Sequence, residues 1–443
     1  MQLLLYLSIE AVLLSPHHPQ KHLVNKFTHQ CTMRVMPYTR PQATVLTSRL
    51  AEQPRHIHIL AGPRQVGKST LVQQVLHTRP IGSYHMLDAE ALAPGQAESG
   101  ARWISEQWSA AEADATAWRE SGHPLAQTLP YVLVLDEIQH IAQWSTAIKG
   151  VWDAGKARGA GIHLILLGSA PLLVQQGLNE SLTGRYELLR VPHWSFSEMT
   201  ECFGLSLDQF IYFGGYPGSA SMINDEERWR GYVRGSLIEP SIERDVLAMA
   251  RVDAPATLRR LFELGCEYSA QILALNRVSQ TLGAGHVLTL AHYLSLLNHA
   301  GLLAGLHKYS NQTIRQRQSP PKFQVLNNAL FSAHGTHGFA QALADRSRWG
   351  RLVESTVGTH LLNSADQDTK IHYWRESSLE VDFVIEHRGR LAAIEVKSQG
   401  ATGRLNGLDE FCRRYPEARR WVVGGDAMPI GEFLMQPATA WVV

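Results

Sequence analysis

The chain has few cysteines, almost no net charge and no long apolar run, and each of these absences argues against a class of protein. None of its four cysteines forms a Cys-x-x-Cys pair; they are Cys31, Cys202, Cys266 and Cys412. We therefore predict neither a disulfide framework nor a structural zinc site, and a reducing cytoplasm fits this usage. The formal net charge of +1 provides no overall attraction to nucleic acids or membranes, so any basic surface must be local.

The N-terminal segment does not read as a targeting sequence, and no other segment is long and apolar enough to span a membrane. Met1 to Leu14 is apolar, but it contains Glu10 and has no basic region before it. A signal peptide normally has that basic region and ends at small residues. We expect residues 1–36 to be a disordered extension, with translation starting at Met33 or Met36, and we predict a cytoplasmic protein with no membrane partner.

Length and composition predict a globular α/β protein of two or three domains. The 443 residues are 44% hydrophobic and 18% charged, which is ordinary for folded proteins. Apolar strand-like runs alternate with helical segments over residues 37–235, as in a parallel sheet covered by helices. Helical periodicity dominates residues 236–319, and strand-like runs return in residues 320–443.

One short motif carries most of the functional information. It fits the phosphate-binding pattern Gly-x-x-x-x-Gly-Lys-Ser and reads Gly62-Pro63-Arg64-Gln65-Val66-Gly67-Lys68-Ser69-Thr70. The two glycines let backbone N–H groups point at phosphate oxygens, Lys68 can reach the β- and γ-phosphates, and the Ser69 hydroxyl can bind Mg²⁺. A strand-like run precedes the loop and a helical segment follows it. Residues 62–70 therefore predict an ATP and Mg²⁺ site at a helix N-terminus.

Two further apolar runs end in polar residues that could complete this site. Residues 131–135 precede Asp136-Glu137, and residues 162–167 precede Gly168-Ser169. We predict Asp136 as a Mg²⁺ ligand, Glu137 as the group that activates water, and Ser169 as a contact to the γ-phosphate or the water. The alternatives are acids that only confer solubility and a simple turn serine.

A second constellation lies near the C-terminus. Strand alternation puts Glu395 and Lys397 on one face of a hairpin, and Asp382 would lie across from Glu395. Glu354, on the preceding helix, could add a third acid. Such a set can hold Mg²⁺ and position water for phosphodiester cleavage. The alternative is a solvated hairpin with outward-facing charges.

The middle segment predicts three helices followed by a hairpin, which is a winged helix-turn-helix plan. The candidate recognition helix, His286 to His299, has no Lys or Arg, so base readout is not favoured. Positive charge lies instead at the expected wing, in Lys308, Arg315, Arg317 and Lys322. We expect phosphate contacts or a protein-binding role there, and a solvated basic loop is the alternative.

These motifs, in this order, resemble bacterial and archaeal AAA+-type ATPases that have a central winged helix and a C-terminal domain related to PD-(D/E)XK nucleases. The resemblance covers residues 36–400 and includes Leu182-Thr183-Gly184-Arg185 and Gly214-Gly215-Tyr216-Pro217. It implies that Arg185 is a finger onto a neighbouring subunit's γ-phosphate and that Tyr216 and Pro217 lie near the adenine. Asn327-Asn328 stands where relatives often carry an Asp, and a neutral amide weakens any metal role there.

The resemblance implies an α/β P-loop AAA+-type domain over residues 37–235, a winged helix over 236–319 and a small α/β restriction-endonuclease-like domain over 320–443. The leading hypothesis is a Mg²⁺-dependent ATPase that acts as a switch or motor on DNA or a DNA-associated partner, as a homo-oligomer. One alternative is a metal-dependent DNA endonuclease regulated by ATP. Another is a nucleotide-gated interaction module with an inactive nuclease fold.

Overall fold

The structure is a computed structural model that describes residues 38–89, 97–168, 181–247, 252–283, 286–310, 319–398 and 405–443. The predicted N-terminal extension, Ser169, Arg315 and Arg317 lie outside these residues. Within the described part of the chain, no helix has the length and apolarity needed to cross a bilayer.

The first part of the chain folds into a five-stranded parallel sheet, which confirms the predicted sheet. Its strands are β1 (Ile57–Ala61), β2 (Tyr84–Asp88), β3 (Tyr131–Asp136), β4 (Ile162–Gly168) and β5 (Tyr186–Arg190), in the order β2-β3-β4-β1-β5. Every neighbouring pair is parallel. All residues of β3 and β4 are buried, because helices cover both faces of the sheet, and this explains their continuous apolar sequences.

Four helices pack against this sheet: α1 (Pro41–Leu50), α2 (Lys68–Leu76), α3 (Ala97–Glu120) and α4 (Trp144–Arg158). Leu46 of α1 and Leu71 of α2 share one apolar core with Val134. Trp108 of α3 and Trp152 of α4 share the core on the opposite face. The carboxyl ends of the strands meet at one edge of this layered structure, where parallel sheets usually bind ligands.

A mostly helical segment follows the sheet. It contains α5 (Phe196–Phe203), α6 (Leu207–Phe213), α7 (Glu226–Tyr232), two π-helical stretches (Val233–Ile238 and Ser241–Leu247), α8 (Pro255–Glu267), β6 (Gln271–Ile272), α9 (Leu275–Leu282) and α10 (Val287–His299). Residues 268–274 are not helical, although helical periodicity dominates the sequence of this segment. Ala270 has a left-handed φ of 64°, and the chain then pairs as β6 with a later strand, so it cannot continue as a helix.

A second, mixed sheet joins the middle of the chain to its C-terminal part. The remaining elements are β7 (Leu303–Lys308), β8 (Lys322–Val325), α11 (Asn328–His334), α12 (Phe339–Ala344), α13 (Arg346–Ser364), β9 (Thr369–Glu376), β10 (Leu379–His387), β11 (Arg390–Lys397), α14 (Asn406–Arg414), β12 (Arg419–Gly424) and α15 (Ile430–Leu434). The strand order is β12-β11-β10-β9-β7-β8-β6. The predicted hairpin of β10 and β11 is confirmed. Because β7 pairs with β9, the two parts share one continuous sheet.

Candidate functional site

The phosphate-binding loop lies at the carboxyl end of β1 and leads directly into α2. Gly67 precedes the helix with a left-handed φ of 84°, a conformation that glycine adopts without steric cost. Gly62 approaches the main chain so closely that a Cβ atom there would lie 2.0 Å from the carbonyl oxygen of Val191. Both glycines are therefore required by the backbone itself, and the loop is drawn tightly against the end of β5.

Buried side chains from outside the motif fix the loop in place. The carbonyl oxygen of Val66 accepts hydrogen bonds from Trp194 Nε1 at 2.9 Å and from an Arg40 Nη atom at 3.2 Å. Arg40 is itself held by Glu198, with a distance of 2.8 Å between Nε and Oε1, and both side chains are buried. A paired, hydrogen-bonded charge of this kind is costly to break, so it stabilises a single loop conformation.

Lys68 points back into the loop. Its Nζ donates hydrogen bonds to the carbonyl oxygens of Gly62 at 3.0 Å and Pro63 at 2.9 Å. Burial lowers the pKa of the Lys68 ammonium to about 8, although the nearby Glu137 and Asp136 carboxylates act in the opposite direction. The two hydrogen-bond acceptors of the ammonium are thus neutral carbonyl oxygens. A phosphate oxygen can take their place, and its contact with Lys68 would be stronger because both groups are charged.

Ser69 and Asp136, the two residues predicted to bind one metal ion, lie side by side, and their metal role stays a prediction. Ser69 Oγ donates to Asp136 Oδ2 at 2.5 Å, and the Glu137 N–H donates to Asp136 Oδ1 at 2.9 Å. Burial raises the pKa of the Asp136 carboxyl, and the Ser69 hydrogen bond partly offsets this effect. A hydroxyl and a carboxylate oxygen placed side by side, near a phosphate-binding loop, are the donor set that suits Mg²⁺.

Glu137 follows Asp136 in a strained conformation at the end of β3. Its φ is 51°, in the left-handed region that non-glycine residues rarely occupy and that is common at functional sites. Its carboxylate accepts a hydrogen bond from the Gln139 side chain and keeps 22% of its side chain exposed. Water can therefore reach the Glu137 carboxylate.

The loop also contacts residues far along the chain. Arg64 binds Asp245, with Nε 2.8 and 2.7 Å from the two carboxylate oxygens. Asp245 lies in the π-helical stretch Ser241–Leu247 and is buried. Burial raises the pKa of Asp245 and the Arg64 guanidinium opposes this rise. A charge-assisted hydrogen bond of this kind is roughly twice as strong as a neutral one, so it ties the loop to this stretch.

A second contact joins the loop to the end of α10. A Cβ atom at Gly301 would lie 2.4 Å from Pro63 Cγ, so the two backbones meet closely only because residue 301 is glycine. His193 Nε2 donates to the Gly301 carbonyl oxygen at 2.9 Å, while its Nδ1 accepts from Asn327 Nδ2 at 3.2 Å. Burial lowers the pKa of His193 to about 4, so the ring is neutral and this donor–acceptor pattern is satisfied.

The two residues predicted near the adenine, Tyr216 and Pro217, lie in the turn that follows α6. Tyr216 is buried, and its ring packs edge-on against His193 with 5.1 Å between the ring centroids. Pro217 begins a short 3-10 helix, Pro217–Met222. The main-chain N–H of Gly215 is held by Asn327 Oδ1 at 3.0 Å. Their contact with a nucleotide stays a prediction.

Arg185 lies at the opposite end of its strand from the phosphate-binding loop. The parallel register pairs Ile57 with Tyr186 and Ala61 with Arg190, and the loop follows Ala61. The Arg185 guanidinium is partly exposed and binds Asp153 of α4 through two contacts of 2.8 and 2.9 Å. It therefore does not reach the loop of its own chain, and its role as a finger toward another subunit stays a prediction.

The four residues of the predicted C-terminal constellation come together around β10 and β11. The register that pairs Phe383 with Ile394 puts Asp382 opposite Glu395. Lys397 Nζ donates to Glu395 Oε1 at 2.6 Å. Burial raises the pKa of Glu395, and the negative charge of Asp382 raises it further. Glu354, on α13, is linked to Asp382 by a further residue that was not predicted to belong to this site.

That residue is Lys322, and the prediction that it contacts phosphate from an exposed wing is wrong. Its side chain is fully buried, and its Nζ donates to Glu354 Oε1 at 2.6 Å and to the Asp382 carbonyl oxygen at 3.1 Å. Lys308, from the same expected wing, is paired with Glu376 at 3.0 Å. The sheet turns Lys322 inward because β8 lies between β6 and β7, where α13 covers it.

Asn327 and Asn328 serve as structural amides. Asn327 caps α11, with its Oδ1 accepting from the Ala329 N–H at 3.1 Å. Asn328 Nδ2 donates to the carbonyl oxygens of Ile211 at 2.8 Å and Leu352 at 2.9 Å. Both are buried, and these hydrogen bonds join three helices, so neither amide is directed to a metal.

Models of protein families match segments of this chain. Residues 54–200 match a family model described as an AAA domain. This matched segment, called the AAA domain below, contains the five-stranded parallel sheet and the phosphate-binding loop. Residues 204–339 and 349–439 match two models, each described as a domain of unknown function.

Relatives and solved structures extend the comparison beyond the AAA domain. Uncharacterized proteins of Mycobacterium bovis and Mycobacterium tuberculosis are each 27% identical over 352 residues, which covers 76% of this chain and 69% of theirs. A Walker-type ATPase of Pyrococcus abyssi has a TM-score of 0.42 at 15% identity, covering 66% of this chain and 94% of that one. RuvB of Thermotoga maritima has a TM-score of 0.28 at 17% identity, covering 61% and 93%. Similarity at this level does not bear on function.

Several residues that hold the phosphate-binding loop could not be identified from the sequence motifs. Arg40 precedes the AAA domain, whereas Asp245 and Gly301 lie within residues 204–339. Arg64 and Asp245 are 181 residues apart, and no spacing rule links them. The π-helical stretch that contains Asp245 and the turn at Gly301 carry no recognisable sequence signature, so only the folded chain reveals these partners of the AAA domain.

Proposed function

We propose that this protein is a Mg²⁺-dependent ATPase whose AAA domain acts as a nucleotide-controlled switch or motor. The observation that supports this most strongly is the meeting of Lys68, Ser69, Asp136 and Glu137 at one edge of the parallel sheet. A phosphate-binding loop, two oxygen ligands for a metal and an accessible carboxylate are the parts that phosphoryl transfer to water requires.

Each residue has a distinct role in this proposal. Loop N–H groups and the N-terminus of α2 hold the phosphates, and Lys68 exchanges its two carbonyl contacts for phosphate oxygens. Ser69 and Asp136 hold Mg²⁺, which when bound neutralises part of the phosphate charge. Glu137 accepts a proton from the attacking water, a role that its exposure and its conformation beyond β3 both permit.

The contacts of the loop with later parts of the chain make the AAA domain suitable as a switch. Arg64 is tied to Asp245, and Pro63 rests against Gly301 at the end of α10. A change in loop conformation on phosphate binding therefore acts directly on two elements of the middle segment. The loop can act as a switch if its nucleotide-bound and nucleotide-free conformations differ in these two contacts. In this proposal Arg185 completes the site of a second subunit in a homo-oligomer.

We propose that α8 to β8 form a winged helix. The order helix, strand, helix, helix, strand, strand supports this assignment, as does the pairing of β8 with both β6 and β7. The helix α10 has no Lys or Arg, and Lys308 is already paired. These two facts favour a DNA-associated protein partner or backbone contacts over base reading.

A DNA endonuclease regulated by ATP is the second candidate. The convergence of Glu354, Asp382, Glu395 and Lys397 on a mixed sheet favours a restriction-endonuclease-like fold for the C-terminal part. A fold does not fix an activity, so a nucleotide-gated module that only binds its partner has the same geometric support.

One assay separates these functions. ATP turnover and nicking of supercoiled DNA are measured together, with and without DNA, for wild type, Glu395→Ala and the matched control Glu376→Ala. We expect Mg²⁺-dependent turnover in all three proteins, since neither residue belongs to the AAA domain. Nicking that disappears only in Glu395→Ala would establish the endonuclease. Absence of turnover in all three would contradict the ATPase.

A further inference from the structure

The cluster of carboxylates at the C-terminal site has a cation built into it. We propose that the Lys322 ammonium takes the position that a divalent metal would hold in a nuclease, so that this cluster is closed to metal ions in the folded protein. The proposal does not depend on ATP hydrolysis by the AAA domain.

The geometry places the ammonium at the centre of three carboxylates. Lys322 Nζ lies 2.6 Å from Glu354 Oε1, 3.8 Å from Asp382 Oδ1 and 3.9 Å from Glu380 Oε1. It also donates to the Asp382 carbonyl oxygen at 3.1 Å and lies 4.7 Å from the centre of the Phe383 ring. Of the three donors of this ammonium, two make hydrogen bonds, and the Asp382 and Glu380 carboxylates lie within ion-pair distance of it.

Other oxygens of the cluster also have partners. Asp382 Oδ2 accepts the Val396 N–H at 2.8 Å. Glu395 Oε1 accepts from Lys397 at 2.6 Å, and Glu380 lies 3.9 Å from Arg375. Across the described ranges, no three His, Cys, Asp or Glu side chains are arranged to hold a metal ion. At least one oxygen of each carboxylate that a metal would need is therefore already in contact with a protein group.

Lys322 cannot easily leave this position. Its side chain has no exposed surface, and it starts from β8 while its partners lie on α13 and β10. Burial alone lowers the pKa of Lys322, but the surrounding carboxylates outweigh this effect and hold its pKa above the usual value. Displacing it would leave a buried, unpaired charge, which is strongly unfavourable. A metal could enter only at that cost.

This arrangement gives the cluster a structural role. The ammonium joins the last strand of the middle segment to the helix and hairpin of the C-terminal part. A metal-dependent nuclease would need these carboxylates free. The inference therefore favours the binding module over the endonuclease among the functions considered above.

Mn²⁺ binding to the full chain tests the proposal. Binding is measured by the loss of the free-ion signal in electron paramagnetic resonance, without nucleotide, and Asp136→Asn removes the metal ligand of the AAA domain in every protein. The parent is compared with added Lys322→Met and with added Lys308→Met, a matched control that removes another ion-paired lysine of the same sheet. Thermal unfolding establishes that each protein is folded.

We expect no Mn²⁺ binding by the parent or the Lys308→Met protein, and a single new site in the Lys322→Met protein that Asp382→Asn abolishes. Mn²⁺ binding by the parent that Asp382→Asn removes would overturn the proposal. A folded Lys322→Met protein that gains no site would overturn it as well. Should Lys322→Met fail to fold, Lys322→Gln, which keeps a donor without the charge, replaces it in the same comparison.

Discussion

Nucleotide binding should take up a proton at alkaline pH, because Lys68 is buried against neutral carbonyls before phosphate arrives. Burial lowers its pKa to about 8 in the free protein. A bound triphosphate places negative charge beside the ammonium, which raises that pKa. Binding must therefore protonate whatever fraction of Lys68 is neutral, and affinity must fall as the pH rises through 8.

The magnitude follows from the free-state pKa. A group with a pKa of about 8 is about 10% neutral at pH 7, about half neutral at pH 8 and about 90% neutral at pH 9. These fractions are the protons expected per bound nucleotide. Above pH 8 the affinity should fall by up to about tenfold per pH unit, or about 1.4 kcal/mol. The affinity continues to fall until the pH reaches the pKa that Lys68 has in the nucleotide-bound protein.

Calorimetric titration with a non-hydrolysable ATP analogue, in two buffers of different ionisation enthalpy, counts these protons directly. Above pH 8 the nucleotide phosphates are already fully ionised and contribute little. Lys68→Arg is the control, since an arginine keeps its charge throughout this range; binding by that variant should not depend on pH. Uptake of less than about 0.1 proton by wild type at pH 9, or equal uptake by Lys68→Arg, would refute the reasoning.

Three other predictions address the surroundings of the loop. Mixing Arg185→Ala with Lys68→Ala subunits should restore part of the turnover, because fingers acting between subunits contribute about 10³–10⁵-fold; no recovery in assembled mixtures would argue against that role. Gly62→Ala puts a Cβ 2.0 Å from a main-chain oxygen and should lower the free energy of unfolding by about 1–3 kcal/mol, whereas Gly150→Ala, with open space around its Cβ, should not; equal denaturation midpoints would contradict this. We expect ATP to slow hydrogen exchange in α10 of wild type and Asp245→Asn to remove this slowing; its retention in the variant would show that the contact of Asp245 with Arg64 carries no coupling.

The sequence predicts the parts of the site that depend on local chemistry. The loop motif requires a strand before it and a helix after it, and continuous apolar runs mark strands buried on both faces. The position of Asp136 beside Ser69 could be predicted because the carboxyl ends of parallel strands share one edge of the sheet. Alternation along β10 and β11 likewise puts Asp382 and Glu395 on one face, as the structure shows.

What the sequence could not predict are contacts set by tertiary packing. Asp245 reaches Arg64 across 181 residues through a π-helical stretch that has no sequence signature. Lys322 reads as a surface charge, since lysine is rarely buried unless it is paired, and its partners lie on two later elements. The sequence did not predict β6 because an alanine does not indicate a turn. In the structure, Ala270 nevertheless has a left-handed φ of 64° and precedes this strand.

The most direct test of the proposed ATPase activity is to separate nucleotide binding from hydrolysis by changing one residue of the site for each step. Nucleotide affinity and the rate of phosphate release are measured for wild type, Lys68→Ala and Glu137→Gln. We predict that Lys68→Ala loses binding, and that Glu137→Gln keeps wild-type affinity while its turnover falls by about 10²–10⁴-fold, the usual cost of removing a general base. Unchanged turnover in Glu137→Gln, or unchanged affinity in Lys68→Ala, would contradict the account.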